Sequence, residues 1–345
     1  LKQGMINKGY TPEFADRLFN QIKGFGGYGF PESHSASFAL LAYVSAWLKC
    51  HHPAAFYVGL LNSQPMGFYS PSQLVQDAQR HHILILPTDV NHSDWDHQLL
   101  SSDDARQPPI RLGLRLVKGL SQAAGKRISD VRRQRAFINL ADLRRRASLD
   151  RKNMEALAAA DALSSISGHR HQTHWQTMAL EDHQPLLPAE ASPQHETRSE
   201  VRLPTPSLGE EVLADYQSTG LSLKAHPLAL LRTQYPFSQC TTQKELIRLG
   251  NHRFVRIAGL ITCRQRPGTA SGVVFLTLED ETGNMNVIVW PAVQERYRQA
   301  LMTSQLVVIK GTVEARNGVV HVIASALENH SAQLSTLTVA SRDFH

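Results

Sequence analysis

Apolar residues recur at helical spacing through the first half of the chain and at strand spacing through its last quarter, with a Pro-rich interval between them. Thr11 followed by Pro12 reads as a helix start, and Phe14, Leu18 and Ile22 then share one face. From Ser35 to Lys49 no charge occurs until the last residue. Phe38, Leu41, Trp47 and Leu48 interleave there with Ala36, Ala39, Ala42 and Ala46, so this helix is apolar nearly all round and is expected to be buried on most sides. It is too short and too Ser-rich to span a bilayer. Further helices are predicted over 54–61, 72–82, 140–146 and 151–162, and short strands over 83–86 and 110–116. Between Val212 and Leu231 apolar content returns, broken by Gly220 and expected to stop at Pro227.

From Arg253 the period changes to two. Strands are predicted over 254–262, 273–278, 285–290, 306–312 and 319–323, with turns at Asp280–Gly283 and Arg316–Gly318 and a helix over 291–302. Five strands with a helix after the third is the layout of an OB-fold barrel.

Charge sharpens the middle of the chain. The net charge is +6, yet Arg111 to Lys152 carries thirteen Lys/Arg against three Asp, a local +10 that leaves about −4 elsewhere. Such a block is the footprint of phosphate binding or a solvated helical surface. Inside it, Lys118-Gly119-Leu120-Ser121 with Gly125 and Ile128 resembles a helix-hairpin-helix, in which a tight Gly turn exposes backbone N–H groups to a DNA phosphate. Ser121 stands where the pattern has its second Gly. Gly119, Leu120 and Ser121 are therefore the expected backbone site, with Lys118, Lys126, Arg127, Arg132 and Arg133 as charged DNA contacts. In the barrel, the single-strand candidates are Arg256, Arg264, Arg266 and Trp290; Phe254 and Phe275 either stack on bases or fill the interior.

The three cysteines are odd in number and widely spaced, which suits a reducing cytoplasm, and no membrane span or secretory signal is legible. His51-His52, His81-His82 and the His169, His171, His174 cluster lack zinc-type spacing, and no metal site is expected. Asp94 and Asp96, at i and i+2, would face one way on a strand and on spacing alone could hold a metal pair.

Tyr28-Gly-Phe-x-x-Ser33-His34-x-Ala36-x-Phe38-Ala39-Leu40, followed by Trp47-Leu48-Lys49-x-His51-x-Pro53, resembles the end of the fingers domain in the bacterial DNA polymerase III alpha family. Pro31-Glu32 and the Leu61–Tyr69 stretch are similar to its error-prone, damage-induced branch. The fold class implied is multidomain α + β: the helical end of a fingers domain (1–104), a helix-hairpin-helix module (105–180), a Pro-rich linker with connecting helices (181–250), a C-terminal five-stranded OB-fold barrel (251–330) and a tail (331–345). The resemblance implies a part of an error-prone polymerase that holds primer-template and single-stranded template. Catalytic aspartates and Mg2+ would lie upstream of Leu1, itself not an initiator Met. Tyr28, Ser33, His34 and Lys49 would be the residues near nucleotide or template. It also implies a sliding-clamp contact, made by Gln184–Pro188 or through an accessory mutagenesis protein. The alternative is a non-catalytic DNA-binding protein built from the hairpin and barrel modules alone.

Overall fold

The computed structural model describes residues 2–26, 32–66, 69–101, 107–180, 202–268, 272–316 and 319–335. The chain forms two compact units: residues 1–66, 74–84 and 99–110 make the first, and residues 67–73, 85–98 and 111–345 the second.

The first unit is helical: α1 (Lys2–Ile6), α2 (Pro12–Gly26), α3 (Glu32–His51), α4 (Pro53–Asn62) and most of α5 (Pro71–Arg80). Pro53 begins α4, where its missing N–H has no helical partner to lose. Ala54, Tyr57 and Leu61 of α4 and Leu74, Val75 and Ala78 of α5 are buried. The expected burial of α3 is not found. Leu40 is 65% and Tyr43 70% exposed, and Phe38, Leu41, Val44 and Trp47 are exposed with them. A helix apolar on every side needs cover on every side. Among the described residues, α3 gains cover only in its last turns, where Leu48 and Lys49 are half-buried. Phe14 and Ile22 of α2 are likewise exposed, and Ala15 is its buried residue.

In the second unit the strand expected over 110–116 shrinks to Ile110–Arg111. The backbone N–H groups of Leu114 and Arg115 instead donate to the carbonyls of Asp94 (2.8 Å) and Trp95 (3.0 Å), and Leu114–Leu116 forms a 3-10 turn. The alternation reported burial, with Leu112 and Leu114 inside, rather than a sheet ladder. There follow α6 (Gln122–Arg132), α7 (Leu140–Arg146), α8 (Arg151–Ala159), α9 (Ser164–Ser167) and α10 (Arg170–Met178). Leu114, Ile128, Leu143, Met154, Leu157 and Leu163 form their common core, joined by Val90 and Trp95 from the 85–98 segment.

The connector holds α11 (Leu208–Ser218), started by a Ser207/Glu210 capping box, then α12 (Pro227–Leu231) and α13 (Gln243–Leu246). Pro227 begins a helix instead of ending one, sitting at its first position with His226 as cap.

The five strands are β1 (Phe254–Gln265), β2 (Val274–Glu279), β3 (Asn284–Val289), β4 (Leu306–Arg316) and β5 (Val319–Asn329). They close in the order β1-β2-β3-β5-β4, every pairing antiparallel except β3 with β5. This is the OB-fold order. Ile257, Leu276, Leu278, Val287, Val307, Ile309 and Val322 fill the interior. Between β3 and β4 the expected helix is two, α14 (Pro291–Arg296) and α15 (Arg298–Thr303), because Tyr297 leaves helical geometry at φ −115°.

Candidate nucleic-acid interface

The hairpin module contains the same turn twice. In the first, Gly119 adopts φ +88°, Leu120 plugs the core, and the Ser121 hydroxyl accepts the Ala124 N–H at 3.2 Å as cap of α6. A Cβ on residue 119 would meet only Ala156 Cβ at 3.7 Å, so backbone conformation and not crowding calls for glycine. In the second, Ser148 has φ +48°, Leu149 is buried, and Asp150 Oδ1 accepts the Asn153 N–H at 2.8 Å as cap of α8. Asn153 Oδ1 in turn receives the Ser121 N–H at 3.4 Å, linking the two caps.

The turns differ in charge. Ser121 leaves the first helix start neutral, with Gln122 and Ala123 exposed behind it, whereas Asp150 sets a carboxylate on the second. An anion is favoured at the first and repelled at the second. Ser121 is thus a helix cap and not a defective second glycine. Gly125 is needed for another reason: a Cβ there would stand 2.4 Å from Trp95 Cε3, so the indole lies on the face of α6.

Most of the basic block is spent inside the protein. Lys118 Nζ donates to the carbonyls of Tyr216 (3.0 Å) and Gln217 (2.9 Å). Arg127 donates to the carbonyls of Ala147 (2.9 Å) and Ser148 (3.2 Å), beyond the end of α7. Arg132 reaches the Val90 carbonyl (3.1 Å) and the Ser93 carbonyl and pairs with Asp94. Arg115 pairs with Asp96 at 2.8 Å, so both carboxylates of the 94–96 pair have arginine partners. Asp142 accepts from Arg146 (3.1 Å), Arg135 (3.2 Å) and the Ile138 N–H (3.4 Å); burial pushes its pKa up, but these donors outweigh it and hold the carboxyl below its ordinary value. Lys118, Arg127 and Arg132, expected as DNA contacts, thus have their heads engaged with carbonyls and a carboxylate, Lys118 and Arg127 while still exposed. Lys126 on α6 and Arg133 just past its end remain exposed, Arg133 beside Asp130 at 2.9 Å, and Arg145 and Lys152 are exposed cations of the same block that the motif did not single out.

On the barrel, β2, β3 and β5 present one continuous outer face. Register places Phe275 beside Ile288 beside Ile323, and Thr277 beside Asn286 beside His321. Phe275 is 37% exposed, and Trp290, two residues past Ile288 and still extended, is 51% exposed. Phe254 is exposed as well, so neither phenylalanine fills the interior. The Arg264 guanidinium donates to the carbonyls of Leu301 (2.8 Å) and Ser304, and burial lowers its pKa. Arg256 hydrogen-bonds Gln239 at 2.7 Å. Arg266 and Arg298 line a cleft of about 560 Å3 floored by Val274, Leu301 and Met302. Asn286, Thr277 and His321 were missed by sequence reasoning, because a strand's polar face shows its partners only once register is known.

In the first unit, Lys49 is bonded to Asp77 (2.8 Å), which also accepts the Tyr57 hydroxyl (2.6 Å); Tyr57 in turn meets His81 Nδ1 at 3.2 Å. Burial raises the Asp77 pKa, but hydrogen bonds from Lys49 and Tyr57 outweigh it and leave it lowered. Burial and Asp77 together push the Tyr57 phenol well up. Lys49, expected near nucleotide or template, thus ties α3 to α5 in this structure. His34 stands 4.4 Å from Phe38, ring to ring, on the exposed helix. Tyr28, the Ser33 side chain and the Gln184–Pro188 peptide lie outside the described residues.

Residues 82–173 match the family described as helix-hairpin-helix motif, and residues 255–329 match the OB-fold nucleic acid binding domain. A protein of Teredinibacter turnerae named error-prone DNA polymerase is 53% identical over 352 residues, covering 99% of this chain and 34% of that protein. Proteins of the same name from Saccharophagus degradans (52% over 346 residues; 99% and 33%) and Methylococcus capsulatus (50% over 361 residues; 100% and 34%) are similar in the same way. The chain spans about a third of the length of these relatives. Among solved structures, asparaginyl-tRNA synthetase from Pyrococcus horikoshii matches 26% of this chain and 22% of that chain at 26% identity, with a TM-score of only 0.23.

Proposed function

We infer that this chain, a relative of the error-prone DNA polymerases along its whole length, is the DNA-holding part of such an enzyme. Duplex DNA binds the first hairpin through a backbone phosphate at the start of α6, with Lys126, Arg133, Arg145 and Lys152 supplying surrounding charge. Single-stranded template crosses the outer face of β2, β3 and β5, with Phe275 and Trp290 stacking on bases. The observation that carries this reading is the coexistence, in one compact unit, of a neutral capped hairpin at Gly119 and a barrel face with exposed aromatics. Neither surface reads sequence, as suits an enzyme that copies any template.

In the whole protein the reaction is nucleotidyl transfer on damaged template in damage-induced mutagenesis, assisted by divalent metal ions held outside residues 1–345. The pairing of Asp94 with Arg132 and of Asp96 with Arg115 supports a location outside this chain. The setting is the cytoplasm, with a sliding clamp reached directly or through an accessory protein; no described helix is long and apolar enough to cross a membrane.

The test is a chimaera in which residues 1–345 replace the matching third of the Teredinibacter turnerae protein. Primer extension past an abasic site is the expected result. A folded chimaera that binds primer-template but cannot extend an undamaged one would refute the assignment. Fluorescence anisotropy on the 345-residue chain should give duplex and oligo-dT binding, both weakening steeply with salt.

A further inference from the structure

Residues of α8, α10 and α11 line a cavity of about 570 Å3 that neither DNA surface uses. Its volume falls within the roughly 300–1,000 Å3 of small-molecule sites. Ala158 and Ala159 from the end of α8 and Ala214 of α11 give it a lining from which nothing projects beyond Cβ. Trp175 of α10 stands beside them and is 52% exposed, although an indole is ordinarily one of the more buried side chains. A flat apolar lining next to an open indole suits a planar ring.

The polar lining adds donors, one acceptor and positive charge. Arg170, 6% exposed, pairs through its terminal nitrogens with Glu211 (2.8 Å) and Asp215, but its Nε–H is buried without an acceptor among the described residues. A buried donor left unmade is costly, which favours an occupant with an acceptor at its edge. His171 Nδ1 lies 3.0 Å from the Pro204 carbonyl, so that nitrogen carries the proton and Nε2 of the neutral ring is left as an acceptor. Lys118 Nζ gives two of its three donors to the Tyr216 and Gln217 carbonyls, and one N–H remains for a ligand. His174 is exposed, and no carboxylate is among the described residues that line the cavity.

We propose that this cavity binds a nucleotide, with the base against the alanines beside Trp175 and its edge toward Arg170 and His171. The phosphate meets Lys118 and His174, the cations that no carboxylate of the cavity neutralises. One chemistry here has two sources: a free mononucleotide, or a base turned out of a duplex. The site goes beyond the DNA surfaces of the proposed function and does not depend on the barrel face.

The experiment titrates the tryptophan fluorescence of the whole 345-residue chain with dGMP, deoxyguanosine and deoxyribose 5-phosphate. Stacking and one charged contact place half-saturation by dGMP at about 0.1–1 mM. Deoxyguanosine should bind about tenfold more weakly, and the sugar phosphate should leave the fluorescence unchanged. Trp175→Phe should remove the quenching while saturation-transfer NMR still shows dGMP bound within about threefold. Ala159→Leu, which fills the cavity from an exposed helix end, should weaken dGMP by about tenfold or more with circular dichroism unchanged. Should Ala159→Leu fail to fold, Lys118→Met decides, by erasing the difference between dGMP and deoxyguanosine. A duplex with 2-aminopurine as a single-base bulge, set against its fully paired form, separates the sources. Quenching of the bulged probe that Ala159→Leu abolishes assigns a turned-out base, and dGMP binding without it assigns the free nucleotide. Equal affinity for dGMP and the sugar phosphate makes this an anion site and overturns the proposal. So does undiminished dGMP binding in Ala159→Leu, or no response to either dGMP at about 10 mM or the bulged probe. A chain that binds dGMP but neither duplex nor oligo-dT refutes the proposed function and leaves this site standing.

Discussion

Arg132→Met separates the structural from the DNA-binding account of the basic block. The Arg132 side chain is 14% exposed and Asp94 26%, and the guanidinium also serves the Val90 and Ser93 carbonyls. Methionine keeps the apolar stem but leaves a carboxylate and two carbonyls short of a donor. Hydrogen bonds to a charged group contribute about 1.5–3 kcal/mol each, and breaking a largely buried ion pair costs about 3–5 kcal/mol. Partial access of water to Asp94 places the expected loss near the lower end, about 3 kcal/mol. Urea unfolding followed by circular dichroism should show it as a midpoint lowered by about 1 M, for a slope of roughly 3 kcal/mol per molar. The protein that remains folded should bind blunt duplex within about twofold of wild type. Lys126→Ala is the opposite case: an unchanged midpoint and a salt dependence of duplex binding shallower by about 0.9 for the lost phosphate contact. Duplex affinity lost in Arg132→Met with a stability change under about 1 kcal/mol would put the guanidinium on DNA and sink this account.

Further outcomes are expected. His97, buried with Nδ1 accepting the Gly113 N–H at 3.1 Å, has its pKa pushed by burial from 6.5 down to about 4. The unfolded imidazole takes its proton near 6.5 while the folded one resists until about 4, so stability is full above 6.5 and falls between those values by about 3 kcal/mol. Urea midpoints of wild type and His97→Gln across that window test it, and parallel curves would refute it. Gly119→Ala should cost about 1–2 kcal/mol through its positive φ alone, and a stabilised protein would contradict that origin. Phe275→Ala and Trp290→Ala should each weaken oligo-dT binding by about 1–3 kcal/mol with duplex binding intact; unchanged binding in both removes the face from the strand's path. The exposed α3 should make the isolated chain self-associate, and light scattering should show Leu40→Gln with Tyr43→Gln reducing it.

The barrel was the most legible part of the chain. Period-two alternation named its five strands and the helix after the third, and the closed order followed from that layout. The strand ends differ: β4 and β5 run on to Arg316 and Asn329, since pairing with neighbouring strands extends them past the apolar run. The Gly119 turn was readable because a hairpin needs a positive φ. The loss of a strand after Arg111 was not, because it depends on hydrogen bonds to the distant Asp94–Trp95 loop.

Charge marks where the two sources part. Composition determined that residues 111–152 carry a local +10, and the motif determined that a hairpin lies among them. Only tertiary structure decided that Lys118, Arg127 and Arg132 face carbonyls and carboxylates while Lys126 and Lys152 face water. The reason is physical: a charge count is local and additive, but the partner of a long side chain is set by which helix end or loop the fold brings within about 3 Å of it. The all-round apolar helix α3 has the same lesson in reverse. The sequence determined that it wants burial, and the fold decided that the described residues leave it exposed.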